Sequence, residues 1–349
     1  MTDVVAIAER LADDLLFLRA LETDRSDTVP VDLLDALAEA GLYGLTAPTA
    51  AGGLEADFAT VCAVIEALAS GCRTTTFIWA QHLGTVIAAA ASDNPALADW
   101  LAPFARGDRR AGLGGALPGP ADLTARPVDG GWIFKGISPF VSGWGRIDVI
   151  HTAARTADGQ LVWALVDARD SDQLRTNRLE LAALNATATV RAYFADTLVP
   201  ATRVTSVVPY EEALPAPQLL RIHASFALGV AARCCRLLER QPFSGQLEQV
   251  RRELDQLEPT SIEAARAAAG ELALRAAAAV AVERGSRSLL FVEHGQRLLR
   301  EALFCAVYAL RPGARAALLG QLERRQHPSG ASSNVVQPGD QVTSERRDG

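Results

Sequence analysis

Apolar residues recur at helical spacing along the first hundred residues. Pro30 and Gly41 are typical of the first turn and the end of a helix, and the leucines between them share one face. Asp57 can cap the next apolar segment through its side-chain oxygen. A further apolar stretch runs over residues 77–91. The pattern predicts a helical N-terminal domain over residues 1–106.

Short β-rich segments dominate from residue 107 to residue 212. Glycine, proline and β-branched residues are frequent here, and apolar stretches are separated by Asp129-Gly130-Gly131 and by Asp158-Gly159. Both sequences are typical of hairpin turns. The segment 187–194, TATVRAYF, is a further strand candidate. Several short strands with turn residues between them predict a compact β-domain.

Long helical segments return in residues 213–323. The segment 221–239 is amphipathic, and the alanine-rich segment after Thr260 begins with the spacing of a capping box that Glu263 completes. A last helix is predicted over residues 286–310. Long helices with short connections predict an antiparallel bundle.

Composition narrows the class of protein. Hydrophobic residues make up 49% of 349, enough for a large core, and the net charge of −7 argues against a nucleic-acid-binding surface. The five cysteines form no C-x-x-C pair and the histidines have no metal-ligand spacing, so no metal site is predicted. We recognise no signal peptide and no membrane-spanning run, so a cytoplasmic protein is expected. The polar tail, residues 324–349, is predicted to be disordered.

Five segments resemble, in order, motifs of the acyl-CoA dehydrogenase family: PVDLLDALAEAGLYGLTAPTAAGG, GGWIFKGISPFVSGWGRIDVI, ATVRAYFADTLVPATRV, LERQPFSGQLEQ and GQRLLREAL. The resemblance covers residues 1–322. It implies a mostly α fold with a central β-domain, in which an N-terminal helical domain and a C-terminal four-helix bundle flank a small β-barrel domain. It also implies FAD-dependent dehydrogenation of an acyl-CoA thioester, an electron-transfer flavoprotein as acceptor, and a homodimer or homotetramer.

The resemblance further implies where the flavin lies, between the β-domain and the bundle. Phe140 and Ser142 take the positions of the family's tryptophan and threonine, which contact the flavin ring. Trp144 is a further candidate for lining this site.

Three candidate cofactor residues fall in the bundle. Arg240 and Phe243 match the family's R-x-x-F, whose arginine contacts the FAD pyrophosphate across the subunit interface. A guanidinium fork suits paired phosphate oxygens. Gly285 matches the first glycine of a pair that approaches the adenosine diphosphate part.

The family's catalytic glutamate is missing. Ala309 takes its place, and the alternative position on the first long bundle helix, in PQLLRIHASF, has no carboxylate either. Glu211, Glu212 and Glu301 are the nearest carboxylates in the sequence. A positioned base contributes about 10²- to 10⁴-fold to proton transfer. The catalytic residues are therefore unknown at this stage.

Three functions stay open. The first is an FAD-dependent acyl-CoA dehydrogenase with a displaced base. The second is a non-catalytic subunit that lends Arg240 and its bundle to an active homologue in a heteromer. The third is a flavin monooxygenase of the same fold, which needs no glutamate and which the shortened flavin loop at 114–125 favours. His223 is the histidine that could face a flavin.

Overall fold

The computed structural model describes residues 3–114, 122–213, 217–238 and 243–324. Helices form the first part, as predicted: α1 Val4–Leu11, α2 Phe17–Arg25, α3 Val31–Glu39, α4 Phe58–Gly71, α5 Arg73–Ala90 and α6 Ala98–Arg106. The Asp57 carboxylate accepts a hydrogen bond from the Thr60 amide at 2.7 Å, which confirms the predicted cap of α4. Gly41 has a φ of 74° just after α3, a conformation that ends helices.

The central domain is one mixed sheet. Its strands are β1 Ala111–Gly114, β2 Leu123–Val128, β3 Gly131–Val141, β4 Val149–Arg155, β5 Gln160–Asp167, β6 Leu174–Arg178, β7 Val190–Pro200 and β8 Val204–Pro209. The order is β6-β7-β3-β1-β4-β5-β8, and β2 pairs with β3 and β4. Gly130 and Gly159 have φ values of 74° and 84° in the two predicted hairpin turns. The strand predicted from residue 187 begins at Val190, because Asn185–Thr187 forms a 3₁₀ turn.

The C-terminal helices are α7 Pro217–Leu237, α8 Ser244–Asp255, α9 Ile262–Arg284, α10 His294–Val307 and α11 Pro312–Arg324. The predicted capping box is wrong: α9 begins at Ile262 and the Thr260 hydroxyl instead donates to Glu258 at 3.4 Å. The helix predicted over 286–310 begins only at His294, after a 3₁₀ turn over Gly285–Leu289. Residues 325–349 of the predicted tail lie outside the described residues.

One hydrophobic core joins the helices from the two ends of the chain. Leu68 and Phe77 of the first part are buried in the same cluster as Val230, Leu272 and Cys305 of the bundle. The five cysteines are all buried with free thiols, as expected for small apolar residues.

The sheet has its own core around Phe134 and Phe194. A third cluster, which includes Val86, Phe104 and Ala111, fixes α5 and α6 against β1. This architecture confirms the predicted fold class. None of the described helices is both long and apolar enough to cross a bilayer.

Candidate active site

The end of β3 carries two of the predicted flavin-contacting residues. Phe140 leaves 53% of its surface exposed, whereas Ser142 is only 7% exposed. The turn that follows is held at Gly143, which has a φ of 91° and donates its amide to the Thr187 carbonyl at 2.7 Å. A Cβ there would lie 2.9 Å from Ile147 and 3.2 Å from Ile78 of α5. Glycine is therefore required for this turn to approach the first helical domain.

A chain of three buried hydroxyl groups starts at Ser142. Its Oγ lies 2.7 Å from the Thr189 hydroxyl, which lies 2.7 Å from the Thr187 hydroxyl, and Thr187 donates to the Leu184 carbonyl at 2.8 Å. Each hydroxyl has one proton to donate. Since the Thr187 proton is committed to a carbonyl, Thr189 must donate to Thr187 and Ser142 must donate to Thr189. The Ser142 oxygen thus keeps lone pairs that can accept a further hydrogen bond.

Because the hydroxyl groups donate from Ser142 towards Thr187, two conservative substitutions should lower the free energy of unfolding by different amounts. Thr189→Val leaves the Ser142 proton without its acceptor, and we expect a loss of about 1–3 kcal/mol in the free energy of unfolding. Ser142→Ala removes only the first donor of the chain and leaves Thr189 bonded to Thr187, so the loss should be smaller. Urea unfolding followed by circular dichroism measures both. A larger loss for Ser142→Ala than for Thr189→Val would show that the hydroxyl groups donate in the opposite direction.

Two residues of α5 position the backbone of β1. The Gln81 side-chain oxygen accepts from the Leu113 amide at 3.1 Å, and His82 Nδ1 accepts from the Ala111 amide at 3.1 Å. His82 therefore carries its proton on Nε2, which donates to the Phe104 carbonyl at 3.1 Å. Burial lowers the pKa of His82 to about 3, so the ring is neutral and structural.

Contact of a flavin ring with the end of β3 stays a prediction, and the two side chains predicted for it differ in exposure. Half-exposed Phe140 offers an aromatic face, and the Ser142 oxygen offers an acceptor beside it in the chain. Trp144 is half-buried and packs against the core of the sheet, so part of its side-chain surface is buried without any cofactor. Segment 115–121 of the predicted flavin loop lies outside the described residues.

Two of the three candidates from the bundle, Phe243 and Gly285, have local roles that need no cofactor. Phe243 is half-buried, and the Arg275 guanidinium lies 5.3 Å from the centre of its ring. Gly285 ends α9 with φ 62° and ψ −149°, a region of backbone conformation that is essentially restricted to glycine. Arg240 lies outside the described residues. Binding of a cofactor by these three residues stays a prediction.

The structure describes both places to which the family resemblance assigns the base, and neither Ala309 nor α7 carries a carboxylate. Ala309 is exposed in a left-handed conformation, with φ 48°, just after α10. Helix α7 contains no acidic residue. Glu301 is 3% exposed, but its carboxylate accepts a hydrogen bond from Arg297 at 2.6 Å. Glu301 is therefore already engaged in an ion pair through Oε1, and its other oxygen, Oε2, is buried without a described partner.

Sequence reasoning missed the two threonines of the hydroxyl chain and two buried arginines, Arg73 and Arg266. The threonines carry no motif, because nothing in TATV shows which hydroxyls meet Ser142. The arginines did leave a signal: each interrupts a segment of small or apolar residues that the helical pattern places in the interior. A charged residue at such a position is rarely buried without a partner.

Residues 3–108 match the family model described as the acyl-CoA dehydrogenase N-terminal domain. No curated protein matches the sequence significantly.

Solved structures resemble most of the chain. Butyryl-CoA dehydrogenase from Megasphaera elsdenii has 17% identity and a TM-score of 0.75, with 93% of this chain and 99% of that chain covered. The FAD complex of PigA has 18% identity and a TM-score of 0.75, over 93% and 97%. KijD3 in complex with FMN and a dTDP-amino sugar has 21% identity and a TM-score of 0.76, over 93% and 94%. At these identities the likeness shows the fold.

Proposed function

Since residues 3–108 match the model of the acyl-CoA dehydrogenase N-terminal domain and most of the chain resembles that fold, we propose that the protein is a flavin-dependent oxidoreductase acting on an acyl-CoA thioester. The turn at the end of β3 carries this proposal. Phe140 and Ser142 offer an aromatic face and a hydrogen-bond acceptor for the ring of FAD, which supplies hydride transfer when bound. The proposed reaction is α,β-dehydrogenation, with an electron-transfer flavoprotein as electron acceptor.

The absorbance spectrum of the purified chain tests the proposal. We expect flavin bands, release of FAD on denaturation, and bleaching by at least one of butyryl-, octanoyl- and glutaryl-CoA under anaerobic conditions. Release of FMN would contradict the choice of FAD. A chain that binds neither flavin after reconstitution would contradict the whole proposal.

A non-catalytic subunit is the second candidate, and the absence of a carboxylate at both family positions favours it. Such a chain would bind an active homologue that supplies the base. Leu289 and Phe291 lie in the connection before α10 and are 81% and 67% exposed. Their exposure supports an interface, either with a second copy of this chain or with a homologue. Light scattering and co-expression with a homologue separate the two candidates. A homo-oligomer of this chain whose flavin is bleached by an acyl-CoA without any homologue excludes the non-catalytic subunit. Oxygen consumption only with a flavin reductase would instead identify a monooxygenase.

A further inference from the structure

A histidine lies beside the position to which the resemblance assigns the base. His223 belongs to α7, the helix that carries the alternative position of that base. Its ring lies 5.1 Å from the ring of Tyr308, the residue just before Ala309. The packing of α7 against α10 therefore places an imidazole where the two assigned positions of the base come together.

The two ring nitrogens of His223 differ in their surroundings. Nδ1 is buried, and no described residue forms a hydrogen bond with it. The residue as a whole is only half-buried, and Nε2 is not among the buried nitrogens that lack a partner. Nε2 is therefore the nitrogen that a ligand can reach. A buried polar atom without a partner is uncommon in a folded protein and calls for a functional explanation.

Positive charge surrounds this imidazole. Burial, followed by the charges of three arginines, lowers the pKa of His223 to about 3. The three are Arg266, Arg73 and Arg311, in order of their effect. The buried carboxylate of Glu301 interacts with Arg73 and offsets part of its charge. Because the pKa of His223 lies far below 7, the ring is neutral at pH 7.

The same positive charge favours one tautomer of the neutral ring. A neutral imidazole carries a proton on one nitrogen and a lone pair on the other. A buried N–H group without an acceptor is repelled by nearby cations, whereas a buried lone pair is attracted to them. The lone pair is therefore favoured on Nδ1 and the proton on Nε2. This assignment makes the accessible nitrogen of His223 a hydrogen-bond donor.

A donor suits His223 better than the role of the missing base. A base removes a proton most effectively when its pKa lies near the working pH. The low pKa of His223 makes the ring a poor acceptor for the α-proton of a thioester at pH 7. A neutral imidazole can instead polarise a carbonyl group by donating to its oxygen.

We propose that Nε2 of His223 donates a hydrogen bond to the thioester carbonyl oxygen of the substrate. This inference rests on the proposed function, which supplies the thioester. Removal of the α-proton moves negative charge onto that oxygen, and a fixed donor in a positively charged site stabilises the charge as it develops. His223 takes no proton itself, so its contribution adds to that of any base.

The carbonyl stretching frequency of crotonyl-CoA bound to the full chain, measured by infrared difference spectroscopy with an isotope-labelled carbonyl, tests this hydrogen bond without turnover. We expect a lower frequency on the protein than in water. His223→Phe keeps a ring beside Tyr308 but loses the donor. The frequency should therefore return towards its value in water, and crotonyl-CoA should bind about 3- to 10-fold more weakly. His223→Gln keeps an N–H donor and should retain most of the frequency shift.

His151→Phe is the matched control. His151 is also a buried imidazole whose pKa burial lowers, to about 4, and its ring also lies beside an aromatic ring, that of Trp163 at 5.0 Å. It belongs to the sheet, however, and Nε2 lies 2.9 Å from the Thr205 hydroxyl. We expect the carbonyl frequency of crotonyl-CoA to be the same on this variant as on the wild type.

A wild-type frequency equal to that in water, or an unchanged frequency in His223→Phe, overturns the hydrogen bond. Where His223→Phe does not fold, nitrogen NMR of the wild type decides. The Nε2 signal of His223, assigned by its loss in His223→Gln, should move when crotonyl-CoA binds, and a signal that stays in place overturns the proposal.

Flavin content and bleaching by butyryl-CoA, read in the same samples, separate this inference from the proposed function. A flavin-free chain whose carbonyl shift depends on His223 contradicts the proposed function alone. A chain whose flavin is bleached, but whose bound thioester shows no shift, contradicts the hydrogen bond alone. Failure of crotonyl-CoA to bind contradicts both.

Discussion

Replacing Ala309 with glutamate is expected to accelerate flavin reduction by an acyl-CoA thioester about 10²- to 10⁴-fold. The substitution supplies a carboxylate at the position where the family carries its base. The backbone should accept it, because Ala309 already holds a Cβ at a φ of 48° and its side chain is exposed. Anaerobic single-turnover bleaching of the flavin by butyryl-, octanoyl- and glutaryl-CoA measures the rate.

The matched control is Ala309→Gln, which has nearly the same shape but cannot remove a proton. Equal acceleration by both variants would show a change in substrate binding rather than a new base. A flavin-loaded Ala309→Glu chain with the wild-type rate would show that this position is not aligned with the family's glutamate. In that case the proton would have to be removed by another residue of this chain or by a residue of a partner subunit.

Replacing Glu301 with glutamine is expected to lower the free energy of unfolding by about 3–5 kcal/mol, because it leaves a buried arginine unpaired. Arg297 is 1% exposed and donates to Glu301 at 2.6 Å. Its remaining described hydrogen-bond partner is the neutral ring of His294, 3.2 Å from Nε. Burial, followed by the charge of Arg297, lowers the pKa of His294 to about 4. Urea unfolding at pH 7 measures the loss.

Two controls separate charge burial from packing in this ion pair. The double variant Arg297→Met/Glu301→Leu removes both charges and should recover most of the loss. Arg287→Met breaks the ion pair with Glu293, in which the arginine side chain is 77% exposed, so we expect a change of at most about 1 kcal/mol. A double variant as unstable as Glu301→Gln would mean that packing, and not the unpaired charge, causes the loss.

Sequence patterns that span only a few residues predicted much of the secondary structure. Helices, hairpins and the cap at Asp57 depend on side chains and turns within a few residues, so their patterns are visible in sequence. The capping box at Thr260 failed because Glu258, two residues earlier, attracts the same hydroxyl. The helix predicted from residue 286 failed at its start because Gly285 and the following 3₁₀ turn interrupt it.

The candidate site was predictable only where it follows a motif. Phe140 and Ser142 lie in a segment that resembles the family, whereas Thr189, the hydroxyl partner of Ser142, is 47 residues away in the chain. Arg73 and Cys305 are 232 residues apart, so their contact depends on how α5 packs against α10. Tertiary contacts of this kind leave no periodic pattern.

The core that joins the two ends of the chain has a consequence for biosynthesis. Helix α4 packs on α7, which the ribosome adds only after the whole sheet. Translation adds about 5–20 residues per second, so the apolar face of α4 stays exposed to solvent for on the order of ten seconds or more before α7 is synthesised. Nascent chains therefore expose a hydrophobic surface until α7 emerges from the ribosome. We expect a chaperone that binds exposed apolar helices to associate with them in that interval.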